Sequence, residues 1–564
     1  MIEMQAISSL LEKIYGQAMG RCAFERIAKL IDSYPLIQGR SQNFFSQQDV
    51  ILITYGDSLK LPGRSPLSTL KHFADEYLSE IVTLIHILPF FPFSSDDGYA
   101  VKDFETVDPR LGTWSDVIAL KDNFGLIFDW VLNHISSKSI WFENYLHEKK
   151  GFENLAIEID PGVDLSQVAR PRTLPLLTPF KKKNNQTVHL WTTFGPDQID
   201  FNYACVDVLG KMLEVLLLYV QNGAVALRLD AIAYLWKEVG TSCVHLPQTH
   251  ALVRLFRAVL DRIAPHVVLL TETNVPHEEN ISYFGNGHNE SQMVYNFTLS
   301  SLLAYTLIAE DSRLFSSWAE NLDTPSEMTT FLNFTASHDG IGLRPLEGIL
   351  TNQQMERLLQ LVHQNGGQLS YKSNPKGSAT PYEMNISYFD LLNGDSDSEA
   401  LQIARFLASQ TIMLEFPGVP GIYIHSLLGS RNWQKGILKT GRARSINREK
   451  LSYHEVVKAI NHRNSLRYRI FHPYRNLIKI RKQQPAFHPR SAFKILDLGP
   501  KLFGMIRFTS EQKIYALTNI TSKTVRLSLI GKVPEQRMQD LLTQQEHPLA
   551  RIILLPYQTL WLTS

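Results

Sequence analysis

The chain has few cysteines and almost no net charge, and each shortage excludes a class of protein. Three cysteines occur in 564 residues, Cys22, Cys205 and Cys243, and they show neither metal-site spacing nor a disulfide framework. The formal net charge is +1, which predicts no basic surface for nucleic acid or for an anionic membrane. We therefore expect a protein of a reducing compartment, the cytoplasm.

Signals for export and for membrane insertion are also lacking. The start, Met1-Ile-Glu-Met-Gln, has neither the basic region nor the long apolar region of a secretory signal. The longest apolar run, Met212 to Val220, is interrupted by Glu214 and is well short of the roughly 20 residues of a membrane span. What remains, 44% hydrophobic and 20% charged residues, is typical of a globular enzyme with more than one domain.

Apolar runs alternate with amphipathic stretches along most of the chain, with helix-like segments at 66–81, 208–221 and 250–263. Such alternation favours an α/β fold, a (β/α)8 TIM barrel with a parallel sheet. Several runs are short, so the count of eight strands rests partly on the resemblance described below. The predicted strands are Val50 to Tyr55, Val82 to Phe90, Leu126 to Leu132, Val225 to Leu229, Val267 to Thr271, Met293 to Phe297, Thr329 to Phe334 and Val419 to Ile424.

Changes of pattern predict the domain limits. Residues 1–48 form a predicted N-terminal helical segment, because apolar residues fall on one face of a helical repeat. Residues 49–490 form the catalytic barrel. Its connections at 135–204 and 340–397 are too long for ordinary barrel loops, so we expect two inserted subdomains above the C-terminal face. Short alternating runs predict a small antiparallel β domain over 491–564.

Three carboxylates follow predicted strands: Asp230, Glu272 and Asp339. A lone aspartate there is usually a helix cap, but three acids at strand ends of a barrel are what a retaining glycosidase-type site needs. Asp230 is the predicted nucleophile. Arg228 is two residues earlier on the same face and is expected to keep it ionised; the alternative is a buried structural pair. Glu272 follows an apolar run that raises its pKa, as suits a general acid and base.

Several motifs also carry a resemblance to a known family. Asp129-Trp-Val-Leu-Asn-His134, Arg228-Leu-Asp-Ala231, Thr271-Glu-Thr-Asn274 and Ser337-His-Asp-Gly340 resemble the four ordered sequence regions of the α-amylase family, glycoside hydrolase family 13. Within it the chain is similar to the sucrose phosphorylase subfamily. That similarity rests on Ile53-Thr-Tyr-Gly-Asp57, His86-Ile-Leu-Pro-Phe-Phe-Pro92, Trp191-Thr-Thr-Phe194, Gln198-Ile-Asp200 and Ser445-Ile-Asn-Arg448. The resemblance implies a (β/α)8 barrel.

The resemblance also implies roles in a glucose site. Asp339 would stabilise the oxocarbenium-like transition state, and Asp96 and Arg444 would pair to close the pocket around one glucosyl unit. From the residues alone, Asp97 competes with Asp96, and their loop can be a simple turn. A lone histidine or aromatic residue is usually structural. Because of their motifs, we expect these further residues to contact the sugar: His134, His338, Tyr99, Phe194 and Tyr234.

The attacking group decides between phosphorylase and hydrolase, since phosphate needs positive donors outside the glucose pocket. Arg172 and Tyr382, one from each long insert, match phosphate-binding positions of the subfamily; the alternatives are a surface salt bridge and simple packing. Lys237, Asn274 and His277 follow catalytic strands and are candidates for an anionic acceptor. We expect no metal and no cofactor, because no carboxylate cluster, phosphate loop or dinucleotide fingerprint is present.

The resemblance implies reversible phosphorolysis of 2-O-α-D-glucosyl-D-glycerate to α-D-glucose 1-phosphate and D-glycerate. The resemblance that favours glycerate as the acceptor rests on four motifs: Ser94-Ser-Asp-Asp-Gly98, Trp236-Lys-Glu-Val-Gly-Thr-Ser-Cys243, Thr271-Glu-Thr-Asn-Val-Pro-His277 and Ser337-His-Asp-Gly-Ile-Gly-Leu343. The alternatives are phosphorylases of sucrose, sucrose 6-phosphate or glucosylglycerol, a hydrolytic α-glucosidase, and an inert binding module. The expected partners are thus a small sugar substrate, phosphate and glycerate, with no nucleic acid or membrane, and a homodimer is the assembly to test.

Overall fold

A closed barrel of eight parallel strands forms the centre of the computed structural model, which describes residues 2–37, 39, 45–323, 325–373, 379–394, 396–531, 533 and 535–564. Chain order is also the order around the barrel. Each predicted apolar run overlaps one strand, so the predicted (β/α)8 barrel is confirmed. The strands are Ile51–Thr54 (β1), Leu84–Ile87 (β2), Gly125–Trp130 (β3), Ala224–Leu229 (β4), Val268–Thr271 (β5), Met293–Tyr295 (β6), Thr330–Asn333 (β7) and Val419–Tyr423 (β8).

The barrel strands are mostly apolar because both of their faces are covered. Every residue of β1, β5, β7 and β8 is buried. The register then decides which polar residues meet. Arg228 on β4 is level with Asp129 on β3 and with Leu270 on β5. This alignment places a guanidinium beside a carboxylate inside the barrel.

Helices follow the strands, and their starts carry local signals. Ser65 accepts a hydrogen bond from the backbone N–H of Ser68, with Pro66 in the first turn, and Ser398 accepts one from Leu401. No helix in the described part of the chain is long and apolar enough to cross a membrane. The main barrel helices are Pro66–Tyr77, Trp114–Ala119, Val206–Gln221, Pro247–Ile263, Phe297–Ala309, Glu399–Glu415 and Leu466–Lys482.

Two helices, Ile2–Tyr15 and Gln17–Asp32, form the N-terminal segment. The first packs on Pro247–Ile263, burying Ile7 and Leu11. The second helix ends at Asp32, whereas we predicted a helical segment that continues to residue 48. Between Asp32 and residue 48, the described residues form turns and irregular backbone. Pro35 explains the early end, since proline cannot continue the ladder of helical hydrogen bonds.

Both long connections carry their own secondary structure. The first contains the antiparallel pairs His134–Ser136 with Gln198–Asp200 and Leu177–Lys181 with Thr187–Trp191, and the helix Ile140–Leu146. The second contains a sheet of Ile341–Gly342, Ala379–Asn385 and Gln368–Ser373, and the helices Asn352–Gln364 and Tyr388–Leu392. A bridge between Arg170 and Ser373 joins the two inserts, so together they cover the C-terminal face.

The C-terminal region is an antiparallel six-stranded sheet, accompanied by the pair Val525–Leu527 and Ile552–Leu554. Trp561 donates from its indole Nε1 to Oε1 of Glu415 on the barrel at 2.6 Å, which ties the sheet to the barrel. The residue limits that we gave for the domains stay a prediction. In spatial order the sheet strands are Ala492–Ile495, Leu502–Phe508, Lys513–Asn519, Thr559–Thr563, Arg537–Asp540 and Glu546–Pro548.

Candidate active site

Three acids meet around one guanidinium at the C-terminal end of the barrel. Nη1 of Arg228 donates to Oδ1 of Asp230 at 2.9 Å. Its Nη2 is 3.7 Å from Oε2 of Glu272 and 3.8 Å from Oδ2 of Asp339. The Arg228 side chain is only 1% exposed. The carboxyl ends of parallel strands open at one face, which is why acids from three strands share this cation.

The turn after β4 connects two of these acids. Ala231 has left-handed backbone angles, φ 51° and ψ 32°, which cost energy in a residue with a Cβ. Its N–H donates to Oε2 of Glu272 at 3.3 Å. The chain therefore bends immediately after Asp230, and the backbone of β4 holds the acid that follows β5.

Asp129 on β3 fixes Arg228 from behind. Its carboxylate pairs with Nη1 of Arg228 and also lies 2.8 Å from Nε2 of His86 on β2, and all three side chains are buried. Burial opposes ionisation of Asp129, but Arg228 and His86 lower its pKa. The sequence motifs contain Asp129 and His86 but predict no role for them. Their contacts keep the Arg228 guanidinium directed at the acids.

The acids differ in their affinity for protons. Burial raises the pKa of Asp230 well above its ordinary value, whereas the positive charge of Arg228 acts to lower it, so the expectation that Arg228 keeps this carboxylate ionised stays a prediction. Burial also raises the pKa of Glu272. For Asp339, burial is outweighed by Arg444 and other cations, and the pKa lies well below its usual range. The direct bond from Arg228 favours charge on Asp230, which leaves the proton on Glu272.

Arg444 joins both sides of the site. Its Nη1 is 2.6 Å from Oδ1 of Asp339, while Nε and Nη2 donate to Glu383 at 3.1 and 2.6 Å. This corrects the expected pair with Asp96, whose Oδ1 is 3.7 Å from Nη1 of Arg442 instead. The Arg444 guanidinium has two carboxylates nearer to it, those of Asp339 and Glu383. We missed Glu383, although its place beside Tyr382 in the second insert was a signal.

A cavity above the acids is lined by most of the residues that we proposed from the sequence. Arg228 lies behind its wall, in contact with the acids. Glu383 also lines it, as do Thr273 and Val275. The predicted residues in the lining are Asp96, Tyr99, His134, Arg172, Phe194, Asp230, Tyr234, Glu272, Asn274, His338, Asp339, Tyr382 and Arg444.

Rings form one wall of the cavity. Tyr99 and His338 stack with centroids 5.1 Å apart and planes within 5°. Burial lowers the pKa of His338 to about 3, and neither ring nitrogen has a hydrogen-bond partner among the described residues. His134 hydrogen bonds to the backbone oxygen of Tyr99 at 2.8 Å and contacts Phe194. A neutral imidazole with unfilled bonds is suited to a sugar hydroxyl.

Arg172 marks the outer side of the cavity. Its guanidinium carbon is 6.0 Å from the ring centroid of Phe194 and 5.6 Å from that of Tyr382. One nitrogen donates to the backbone oxygen of Pro171 at 3.2 Å. Among the described residues, no carboxylate lies within 4 Å of the Arg172 guanidinium. A guanidinium held by two rings, with its charge unpaired, is suited to bind an anion.

Two predicted acceptor residues lie elsewhere. Nζ of Lys237 is 2.6 Å from Oδ2 of Asp200 and 2.7 Å from Oδ1 of Asn133, and the side chain is 3% exposed. His277 packs its ring against Trp318 and Phe331. Neither belongs to the cavity lining. Position after a strand did not reveal which way these side chains point, because loop dihedral angles decide it.

Comparison with known proteins agrees with this geometry. The family model described as alpha amylase, catalytic domain, matches residues 75–341. The chain is 40% identical over 559 residues to glucosylglycerate phosphorylase of Escherichia coli (strain K12), covering 99% of this chain and 100% of the relative. It is 42% identical over 560 residues to the glucosylglycerate phosphorylase of Allomeiothermus silvanus, covering 99% and 98%.

A solved structure is similar as well. Sucrose 6F-phosphate phosphorylase from Thermoanaerobacter thermosaccharolyticum superposes with a TM-score of 0.73 at 26% identity, covering 84% of this chain and 94% of that one. The chain therefore belongs to the α-amylase family, and the resemblance noted from its motifs is confirmed. Within the family, the chain is similar over its whole length to proteins that are named glucosylglycerate phosphorylase.

Proposed function

We propose that this chain is a retaining α-glucosyl phosphorylase. It converts 2-O-α-D-glucosyl-D-glycerate and phosphate, reversibly, into α-D-glucose 1-phosphate and D-glycerate. The observation that carries the proposal is the Arg228 guanidinium shared by Asp230, Glu272 and Asp339 beneath a cavity. The names of the full-length relatives support glycerate as the acceptor.

The site residues fit a double displacement. Asp230 attacks the anomeric carbon and forms a glucosyl ester, while Glu272 gives its proton to the departing glycerate oxygen. A phosphate oxygen then attacks the same carbon, the bond to Asp230 breaks, and Glu272 takes the proton back. Two inversions retain the α configuration. Asp339, held ionised by Arg444, stabilises the positive charge that develops on the sugar.

One assay separates this function from its alternatives. The enzyme is given glucose 1-phosphate with glycerate, glycerol, fructose or fructose 6-phosphate, and phosphate release is measured. We expect glycerate to exceed glycerol and fructose at least about 10-fold, since a neutral acceptor leaves the cation of the acceptor site without its anion. Equal use of glycerol would favour a glucosylglycerol phosphorylase, and preference for a fructose would favour a sucrose or sucrose 6-phosphate phosphorylase. Release without acceptor would indicate a hydrolase, and no release an inert module.

Arg172→Ala is expected to reduce kcat/KM for phosphate about 100-fold, because two charge-assisted hydrogen bonds are lost. Hydrolysis of the glucosyl-enzyme should continue, since water needs no anion site, so the product shifts toward free glucose. The glucose to glucose 1-phosphate ratio is the measurement. Lys181→Ala, which removes an exposed charge from the same insert, is the control. Equal losses of phosphorolysis and hydrolysis would show that Arg172 acts on the donor or on folding.

We also propose a cytoplasmic location and a homodimer. Cys22, Cys205 and Cys243 are all free thiols, which supports a reducing compartment. The dimer stays a prediction. Light scattering of the purified protein tests it, with a mass of twice the 64.3 kDa chain as the expected result.

A further inference from the structure

Arg344 follows the catalytic strand β7 closely and has no role in the chemistry above. It stands five residues after Asp339 and directly after Leu343, whose N–H donates to the backbone oxygen of Tyr382 at 3.0 Å. Gly342 pairs with Glu383 in the same small sheet. Arg344 is therefore attached to the part of the second insert that forms the outer side of the cavity.

The charge of Arg344 reaches the cavity. Burial raises the pKa of Tyr234 to about 12, and the positive charge of Arg344 opposes this rise more strongly than that of Arg172 does. Tyr234 lines the cavity and packs edge-on against Phe194. Each insert thus supplies one guanidinium near the same tyrosine.

The guanidinium of Arg344 does not use all of its hydrogen-bond donors. Nη2 is 3.5 Å from Oε2 of Glu279 and Nε is 4.0 Å from Oε1 of Glu347, both too long for good hydrogen bonds. Each carboxylate has another partner: His245 is 3.2 Å from Glu279, and Lys372 is 3.0 Å from Glu347. Nε of Arg344 has no hydrogen-bond partner among the described residues, and the side chain is 18% exposed. It retains donors for a ligand.

A second unfilled group belongs to the cavity lining. Oδ1 of Asn274, in a residue 9% exposed that lines the cavity, has no hydrogen-bond partner among the described residues. It lies against Gly342, where a Cβ would stand 2.3 Å from it. Glycine at 342 is thus required for this close approach. Asn274 in the cavity lining is therefore in contact with the loop that carries Arg344 two residues further on.

Glycerate and phosphate differ in where their charge lies. In phosphate the attacking oxygen is bonded to the charged phosphoryl group itself. In glycerate the attacking 2-hydroxyl is bonded to C2, and the carboxylate is one carbon further away. A cation close to the acids serves both anions, whereas one further out serves only the longer one. Tyr234 is influenced by the charges of both Arg172 and Arg344, and the two guanidinium groups belong to different inserts, so the cavity has two separate cations for an anion.

We infer that Arg344 binds the carboxylate of glycerate and so selects a sugar acid over a neutral acceptor, with Asn274 accepting from the 3-hydroxyl. This assignment rests on the proposed function and names a specificity residue for it. The guanidinium would exchange its long contact to Glu279 for a paired contact to the carboxylate, which is the geometry that a guanidinium favours.

Arg344→Gln tests this assignment. With glucose 1-phosphate as donor, we expect KM for glycerate to rise about 30-fold and the kcat/KM preference for glycerate over glycerol to fall by a similar factor. With glucosyl fluoride as donor, KM for phosphate should stay within about 2-fold, since that donor carries no carboxylate. Arg344→Lys should recover part of the preference through charge alone. Lys372→Gln, which removes a neighbouring charge paired with Glu347, should change none of these values.

The outcomes separate this inference from the function on which it rests. If the wild-type enzyme does not use glycerate, the proposed function fails and Arg344 loses its role with it. If the wild-type enzyme uses glycerate and Arg344→Gln leaves the preference unchanged, the assignment of Arg344 is wrong and the function stands. An equal rise in KM for phosphate and glycerate would also overturn it, because Arg344 would then belong to a common anion site. Unchanged hydrolysis of glucosyl fluoride shows that the donor site of the variant is folded.

Discussion

Asp230→Asn is expected to lower kcat by about 10⁴-fold or more while the protein keeps its fold. Asparagine has the shape of aspartate, so the packing around Arg228 is retained, but an amide cannot form the glucosyl ester. Steady-state phosphate release from glucose 1-phosphate with glycerate measures the loss, and thermal unfolding followed by circular dichroism measures the fold.

The same substitution at Asp261 is the matched control, since this half-exposed residue pairs with Arg257 away from the cavity. It should leave kcat unchanged. A folded Asp230→Asn protein that keeps a rate within about 10-fold of wild type would remove Asp230 as the nucleophile. The product formed from phosphate by the wild-type enzyme should also be the α anomer by NMR, because β-glucose 1-phosphate would contradict two successive inversions.

Glu272→Gln is expected to lower turnover of glucosylglycerate about 10³-fold and to affect the first step with glucosyl fluoride far less. Glycerate is a poor leaving group that needs a proton, whereas fluoride leaves without one. With glucosyl fluoride, the variant should therefore accumulate a glucosyl ester on the peptide that contains Asp230, which mass spectrometry detects. Glu278→Gln, an exposed change in the short helix His277–Ile281 that follows Glu272, should behave as wild type.

The pH dependence has a defined sign. Burial raises the pKa of Glu272, so its proton is retained as pH increases above the ordinary range for glutamate and is lost only at the raised value. The wild-type rate with glucosylglycerate should fall as pH rises through that value, because the general acid is lost. The Gln variant with glucosyl fluoride should lack this alkaline decline. An identical decline in the variant would show that another group causes it.

Much of the barrel could be predicted because its strands are covered on both faces and read as plain apolar runs. The three acids could be located for a related reason, since the carboxyl ends of parallel strands open at one face. The N-terminal segment was predicted less well. Apolar periodicity marked its two helices. The second helix ends at Asp32, shortly before Pro35, and the described residues that follow up to residue 48 are not helical.

Loop residues were predicted with mixed success. Arg172 and Tyr382 meet across the cavity although they come from different inserts, as the resemblance implied. Lys237 and His277 turn into the protein instead, where Asp200 and aromatic rings bind them. Arg444 meets Asp339 and Glu383 rather than Asp96. These contacts join distant parts of the chain, and no local pattern carries information about them.

The sequence by itself determined the parallel barrel, the strand ends that hold Asp230, Glu272 and Asp339, and the family. These features depend on periodicity and short motifs, which act within a few residues of one another. Only the tertiary structure decided which cations neutralise the acids, that burial and Arg228 act in opposite directions on the pKa of Asp230, and that Arg344 has a buried donor without a hydrogen-bond partner among the described residues. Charge, solvation and hydrogen bonding depend on distances between residues far apart in the chain, and folding alone sets those distances.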